Sequence, residues 1–102
     1  MSYSAIDPII RAWAHANGLK MFVEFAGRPS RFCYVSSDDE CFQVSIEPPT
    51  KSEVAINAWS VDTADDAELH CAWVTATDAI ESSLDAALRK IEEWKVRPRA
   101  TG

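Results

Sequence analysis

Few side chains in this sequence are suited to catalysis. The chain contains two histidines, His15 and His70, and three cysteines, Cys33, Cys41 and Cys71. A histidine beside a cysteine or serine could activate it as a nucleophile, but the sequence places no such partner clearly beside either histidine. It also lacks a glycine-rich phosphate loop, a nucleophile elbow and a His-Glu metal motif. We therefore predict no catalytic residue, no metal site and no cofactor; a small enzyme with a pocket around His70 stays an alternative.

The cysteines indicate where the chain works. Their number is odd and their spacing fits no zinc site, so we interpret them as reduced thiols. The N-terminus has neither the basic start nor the apolar stretch of a signal peptide, and no apolar run reaches the length of a membrane span. Together these features favour a cytoplasmic protein.

The charge restricts the class of partner. Ten basic and sixteen acidic residues give a formal charge of −6, which opposes binding to nucleic-acid phosphates and to anionic membranes. Apolar residues make up 47% of the 102 residues, enough for the core of one domain. We expect a protein partner, either a basic protein or a second copy of the chain, with no nucleic acid and no membrane.

The elements that must position these side chains follow from periodicity and turn residues. Asp7 and Pro8 predict an N-cap and first turn for a helix over 8–17. A second helix begins near Thr77 and Asp78, with the capping-box spacing of Asp78 and Glu81, and ends near Lys95. Between them, alternation and turn residues predict five strands, over 19–26, 31–36, 41–47, 53–61 and 69–75, with a turn over 27–30.

This order predicts a two-layer α+β sandwich over residues 1–102. Short connections favour a five-stranded antiparallel meander, and one apolar stripe per helix places both helices on the same face of the sheet. The two ends, 1–5 and 97–102, are expected to be flexible.

A meander brings alternate turns to the same end of the sheet and so gathers acidic residues there. We call these the acidic end: Asp38, Asp39, Glu40, Asp62, Asp65, Asp66 and Glu68. They could receive a basic partner or, less favourably, a divalent cation, although 62–66 lacks the EF-hand glycine. The third possibility is that Lys90, Lys95, Arg97 and Arg99 near the end of the second helix compensate them.

The register predicts which side chains face away from the helices. A two-residue turn at Asp38 and Asp39 sets Cys33 opposite Val44 and Tyr34 opposite Gln43. A first turn of three or five residues then keeps Met21, Val23 and Phe25 in the core. The same alternation places large or polar side chains on the other face: Phe22, Phe32, Tyr34, Trp59 and His70.

Three interpretations fit this aromatic face. It could bind a protein partner or a second copy, or it could form a small-ligand groove. The third interpretation is that the strand register differs or that the C-terminal tail covers the face. We favour a non-enzymatic protein-interaction module that uses this face; the alternative is a small-ligand-binding domain or a small enzyme.

Overall fold

The computed structural model describes residues 3–37, 40–62 and 67–97. Its two helices are α1 (Asp7–Ala16) and α2 (Ile80–Lys95). Its five strands are β1 (Met21–Phe25), β2 (Arg28–Ser36), β3 (Cys41–Ile46), β4 (Glu53–Ser60) and β5 (His70–Ala76). Short 3-10 turns at Tyr3–Ala5, Ala67–Leu69 and Thr77–Ala79 precede α1, β5 and α2. In the described ranges, no helix is long and apolar enough to cross a membrane.

The strands form one open antiparallel sheet in chain order, which confirms the predicted α+β meander. Cys33 stands opposite Val44 and Tyr34 opposite Gln43, as the predicted register requires. On β5, Cys71 pairs with Ala58 on the core side and His70 with Trp59 on the other side. Strict alternation makes this register robust, because a one-residue slip would expose the whole apolar set.

The core lies between the helices and one face of the sheet. The apolar stripes of both helices pack on the strand side chains that alternation had assigned to this face. The fully buried members include Ile10, Phe42, Val44, Ile56, Leu84 and Ile91. The ring of Phe42 stacks on that of Trp94 at 6.0 Å, and Trp13 Nε1 of α1 donates to Asp85 Oδ1 of α2 at 3.0 Å.

The start of α1 is held by side chains rather than by a cap. The predicted N-cap role of Asp7 is wrong: Ile6 occupies that position, without a side-chain cap hydrogen bond. Instead, Asp7 Oδ1 pairs with Arg31 Nε of β2 at 2.7 Å, because a cation within reach satisfies the carboxylate better than backbone amides do. Tyr3, within the end expected to be flexible, is buried, and its hydroxyl donates to Ile46 O at 2.9 Å.

The first hairpin departs from the sequence prediction. The turn is formed by Ala26 and Gly27 rather than by 27–30, and both residues have positive φ, 54° and 78°. Two-residue hairpin turns favour this backbone because its twist matches that of the strands. Pro29 therefore lies in β2, opposite Glu24 of β1.

A bulge explains why two of the three predicted core positions on β1 fail, whereas the third, Met21, packs against the core as expected. Pairing changes from Phe22 with Phe32 to Glu24 with Pro29, so that one residue, Val23, faces two residues of β2. Such a bulge increases the local twist and turns the hairpin tip away from the core. Val23 and Phe25, expected in the core, are accordingly 46% and 66% exposed.

Candidate partner-binding face

The sheet face opposite the helices, here the outer face, carries all five residues predicted to bind a partner. One row across the strands runs through Phe22, Phe32, Ser45, Asn57 and Ala72. The next row runs through Tyr34, Gln43, Trp59 and His70. The structure thus brings the aromatic side chains to one surface, where polar residues of β3 separate those of β2 from those of β4.

Four rings at one side of this face form an aromatic cluster: Phe22, Phe25, Phe32 and Tyr34. Phe22 stacks on Phe32 with ring centroids 5.2 Å apart, and Phe25 meets the edge of Phe32 at 6.1 Å. Tyr34 contacts both Phe22 and Phe32 edge-on, at 5.5 and 5.6 Å. These neighbours leave Phe32 only 5% exposed although no helix covers it. The cluster is therefore preformed, which lowers the conformational entropy lost when a partner binds.

Trp59 and His70 form a second, separate pair. They stand opposite each other on β4 and β5, with ring centroids 6.2 Å apart and an angle of 83° between the ring planes. Gln43 lies between Trp59 and Tyr34 in the same row. Trp59 on β4 and Tyr34 on β2 are separated by β3, and neighbouring strands lie about 4.8 Å apart.

A groove of about 300 Å³ lies between these two aromatic groups. Phe25, Phe32 and Trp59 contribute its aromatic rings, and Gln43 and Ser45 contribute polar side chains. The other lining residues are Tyr3, Ser30, Ile46 and Glu47. His70 is not among them, so this groove does not place that imidazole beside a ligand.

Glu47 is the charged residue among those that line the groove, and it is exposed. Burial raises the pKa of the Tyr3 hydroxyl, and the negative charge of Glu47 raises that pKa further. Tyr3 and Glu47 both line the groove, so its lining includes one carboxylate. The groove therefore combines aromatic walls with one negative charge.

Two cationic side chains of the protein itself already lie over aromatic rings around this site. Lys20 Nζ lies 5.0 Å from the ring centroid of Phe22, and the guanidinium carbon of Arg31 lies 4.4 Å from that of Tyr3. Both distances fall within the range of cation–π attraction. Arg31 is also neutralised by Asp7.

The acidic end is only partly described. Asp38, Asp39, Asp65 and Asp66 lie outside the described residues. Asp62 is exposed and accepts a hydrogen bond from the backbone N–H of Cys41 at 2.7 Å. Glu68 is exposed. The hydrogen bond to Cys41 places Asp62 beside the first residue of β3 and therefore close in space to Glu40.

Glu40 has a structural partner within the chain. Its side chain is only 4% exposed and pairs with Arg97 at 2.9 Å, and the hydroxyl of Ser60 donates to it at 3.0 Å. Arg97 was one of the cations expected near the acidic end. Glu40 is therefore not available as a surface charge to a partner.

The side chains suited to catalysis are dispersed. Cys33 is buried, and burial raises the pKa of its thiol to about 11, so it is held as a neutral thiol at physiological pH. Cys41 and Cys71 are half-buried and free. Among the residues that the structure describes, no three His, Cys, Asp or Glu side chains are grouped to hold a metal ion.

Comparison with protein-family models, with curated proteins and with solved structures finds no match for this chain. Its function must therefore be argued from the site itself.

Sequence reasoning missed most of the groove lining, including Tyr3, Phe25 and Glu47. Phe25 was assigned to the core because the bulge was not foreseen, and Ala26-Gly27 is not one of the residue pairs that signal a two-residue turn. Tyr3 was placed in a flexible end, and no local pattern indicates that its hydroxyl reaches β3. Glu47 was seen only as the outward residue at the end of a strand.

Proposed function

We propose that this chain is a non-enzymatic protein-interaction module whose outer face binds a basic side chain of a protein partner. The observation that carries the proposal is the groove, whose lining includes the aromatic rings of Phe25 and Trp59, the polar side chains of Gln43 and Ser45, and the carboxylate of Glu47. Aromatic rings and a carboxylate together favour an ammonium or guanidinium group.

The aromatic cluster would supply the remaining contact area. Tyr34 and Phe25 are both exposed, and large aromatic residues are the usual anchors of protein interfaces. Because the cluster is preformed, an interface that covers it gains apolar burial without ordering new side chains.

The net charge supports a basic partner rather than a second copy at this face. A chain with a formal charge of −6 attracts a cationic protein during diffusional encounter and repels its own copies. The cations on Phe22 and Tyr3 support the same preference, since rings of this region already accept positive charge.

A small organic cation is the second candidate ligand. The groove volume lies at the lower limit of small-molecule pockets, and Gln43 and Ser45 could orient a polar group. A small organic cation and a basic side chain of a protein both carry the positive charge that the groove is proposed to bind. The first experiment therefore tests whether the groove binds a cation at all.

That experiment uses choline and its neutral isostere, 3,3-dimethylbutan-1-ol, which differ in charge but hardly in shape. We expect choline to shift the side-chain resonances of Trp59 and Gln43 in NMR titrations and the neutral isostere to bind roughly tenfold more weakly. Glu47→Gln should weaken choline binding, and Glu53→Gln, an exposed glutamate on β4, is the matched control. Equal binding of both compounds, or none, would contradict the proposed groove chemistry.

A second experiment separates a protein partner from a free ligand. An arginine- or lysine-containing peptide library displayed on a surface should retain the wild-type protein and lose the double variant Tyr34→Ser, Trp59→Ser. Circular dichroism should show that this variant keeps its fold, because both side chains lie outside the core. Choline binding without peptide binding would favour the free ligand.

A further inference from the structure

The strand β5 forms one edge of the sheet and carries no charged side chain other than a histidine. Its seven residues, His70–Ala76, pair with β4 in one unbroken register. In the described part of the chain, no strand pairs with its other side. Alternate residues along it are exposed, and Val74 is 70% exposed.

The backbone groups on the free side of β5 can be identified. Thr77 N–H donates to Ser52 O at 2.9 Å, in line with the register of β4 and β5. Hydrogen-bonded and non-hydrogen-bonded pairs alternate in an antiparallel ladder. Cys71 and Trp73 therefore point their backbone groups at β4, whereas His70, Ala72, Val74 and Ala76 point theirs at the free edge.

The opposite edge of the sheet is protected in ways that β5 is not. β1 has only five residues, contains Glu24 and faces, at Val23, a bulge in β2. Charges, bulges and short length are the usual features that prevent edge strands from pairing with other chains. β5 is longer, regular and uncharged, and it contains no proline.

A second copy of the chain fits this edge best. Antiparallel pairing of β5 with itself obeys two-fold symmetry, as most homodimers do. It brings no like charges together within the paired strands although each chain carries a formal charge of −6. A basic extended segment would gain no electrostatic advantage at an uncharged strand.

We infer that β5 pairs antiparallel with β5 of a second copy, joining two five-stranded sheets into one. The outer faces then continue across the junction, and each copy keeps its own groove. A strand edge buries less than the roughly 800 Å² per partner of a standard interface. The dimer is therefore weak and depends on concentration, and it is independent of the proposed partner at the groove.

Amide hydrogen exchange tests this pairing directly. Between micromolar and millimolar protein, the amides of Ala72 and Val74 should become protected in parallel with the mass measured by sedimentation. The amides of Cys71 and Trp73, already bonded to β4, should change little. A chain that stays monomeric at millimolar concentration would overturn the inference, as would protection of Ala72 and Val74 that does not depend on concentration.

Two variants locate the contact. Ala72→Pro removes an N–H that the monomer does not use, since proline is tolerated where a strand N–H points away from the sheet. Val74→Lys places one added positive charge of each copy beside the junction, where the two charges repel each other. Each should lower the association constant about tenfold, equivalent to about 1.4 kcal/mol.

Val23→Lys on β1 is the control at the opposite edge and should leave association unchanged. Dimers that resist both β5 variants would contradict the inference. The inference would also be contradicted if Tyr34→Ser abolished dimerisation and Ala72→Pro did not, because that result would place the contact on the outer face. If Ala72→Pro fails to fold, Val74→Lys and the exchange data still decide the question.

Discussion

Arg97 holds both carboxylate oxygens of Glu40, donating from Nη1 to Oε1 and from Nη2 to Oε2, each at 2.9 Å. The pair joins the second residue after α2 to the residue that precedes β3, 57 positions away in the sequence. Its side chains are 24% and 4% exposed. The end of α2 is therefore fixed to the sheet by a charge pair as well as by the apolar packing of Trp94.

Removing the cation should destabilise the fold. Arg97→Ala leaves a buried carboxylate without its cation, and we expect a loss of about 2 kcal/mol in the free energy of unfolding. The further change Glu40→Gln should restore part of that loss, because it removes the buried charge and can keep a hydrogen bond with Ser60. Urea denaturation of the three proteins measures both steps.

Lys95→Ala provides the control for this pair, since Glu92, its partner, is exposed and such pairs contribute little. If Arg97→Ala proved as stable as Lys95→Ala, that result would contradict the structural role of the pair between Arg97 and Glu40.

A second prediction compares two leucines of α2. Leu84 is fully buried, whereas Leu88 is only partly buried beside the core. Leu84→Ala should lower the free energy of unfolding by about 2–5 kcal/mol, and Leu88→Ala by roughly half as much. Chemical denaturation with unchanged m-values tests the difference. Equal losses would mean that the two sites are packed alike.

The predictable parts of this fold are those fixed by alternation. The outward placement of Phe32 and Tyr34 followed from the alternation of β3, because each strand residue has only two possible faces. The position of Phe25 did not follow, since a bulge is one extra residue and leaves no clear signature in composition.

The charge pairs were harder still to foresee. Arg97 was expected near the acidic end, but nothing in the sequence distinguishes Glu40 from its acidic neighbours as the residue with which Arg97 pairs. Asp7 reads as a helix cap because the local sequence does not reveal Arg31. Contacts between residues distant in sequence depend on the assembled layers, which local patterns do not describe.

The pair of Asp7 with Arg31 should make stability fall in acid. The hydrogen bond from Arg31 lowers the pKa of Asp7 below its usual 3.8. Because the folded pKa is the lower one, this contribution is complete above the unfolded pKa and is lost as pH falls through the folded pKa. Asp7→Asn should therefore lower stability at neutral pH and remove part of the loss of stability that occurs as the pH falls below the usual aspartate pKa of 3.8.

Urea unfolding at several pH values measures this dependence, and Asp78→Asn, at an exposed aspartate, is the control. A pH profile of Asp7→Asn parallel to that of the wild type would show that the pair contributes nothing.

The three thiols should differ in reactivity. Cys33 is fully buried and its thiol pKa is raised to about 11, so little thiolate forms at pH 8. Cys41 and Cys71, which are half-buried, should react first with iodoacetamide, as followed by mass spectrometry of digested protein. In urea all three should react at similar rates. Rapid labelling of Cys33 in the native protein would indicate that the core around β2 opens readily.

The last prediction concerns the hairpin tip that presents Phe25 to the groove. Ala26 has a φ of 54°, in the left-handed region that disfavours most side chains, and Gly27 follows with a φ of 78°. Asn-Gly is the preferred pair where both central residues of a turn have positive φ. Ala26→Asn should therefore stabilise the protein by roughly 0.5–1 kcal/mol without altering the core, whereas Gly27→Ala should destabilise it, since an added Cβ meets no neighbour but is strained at that φ. Thermal unfolding of both variants tests the pair of effects. If Ala26→Asn proved no more stable than the wild type, the left-handed conformation of this turn would not be a source of strain.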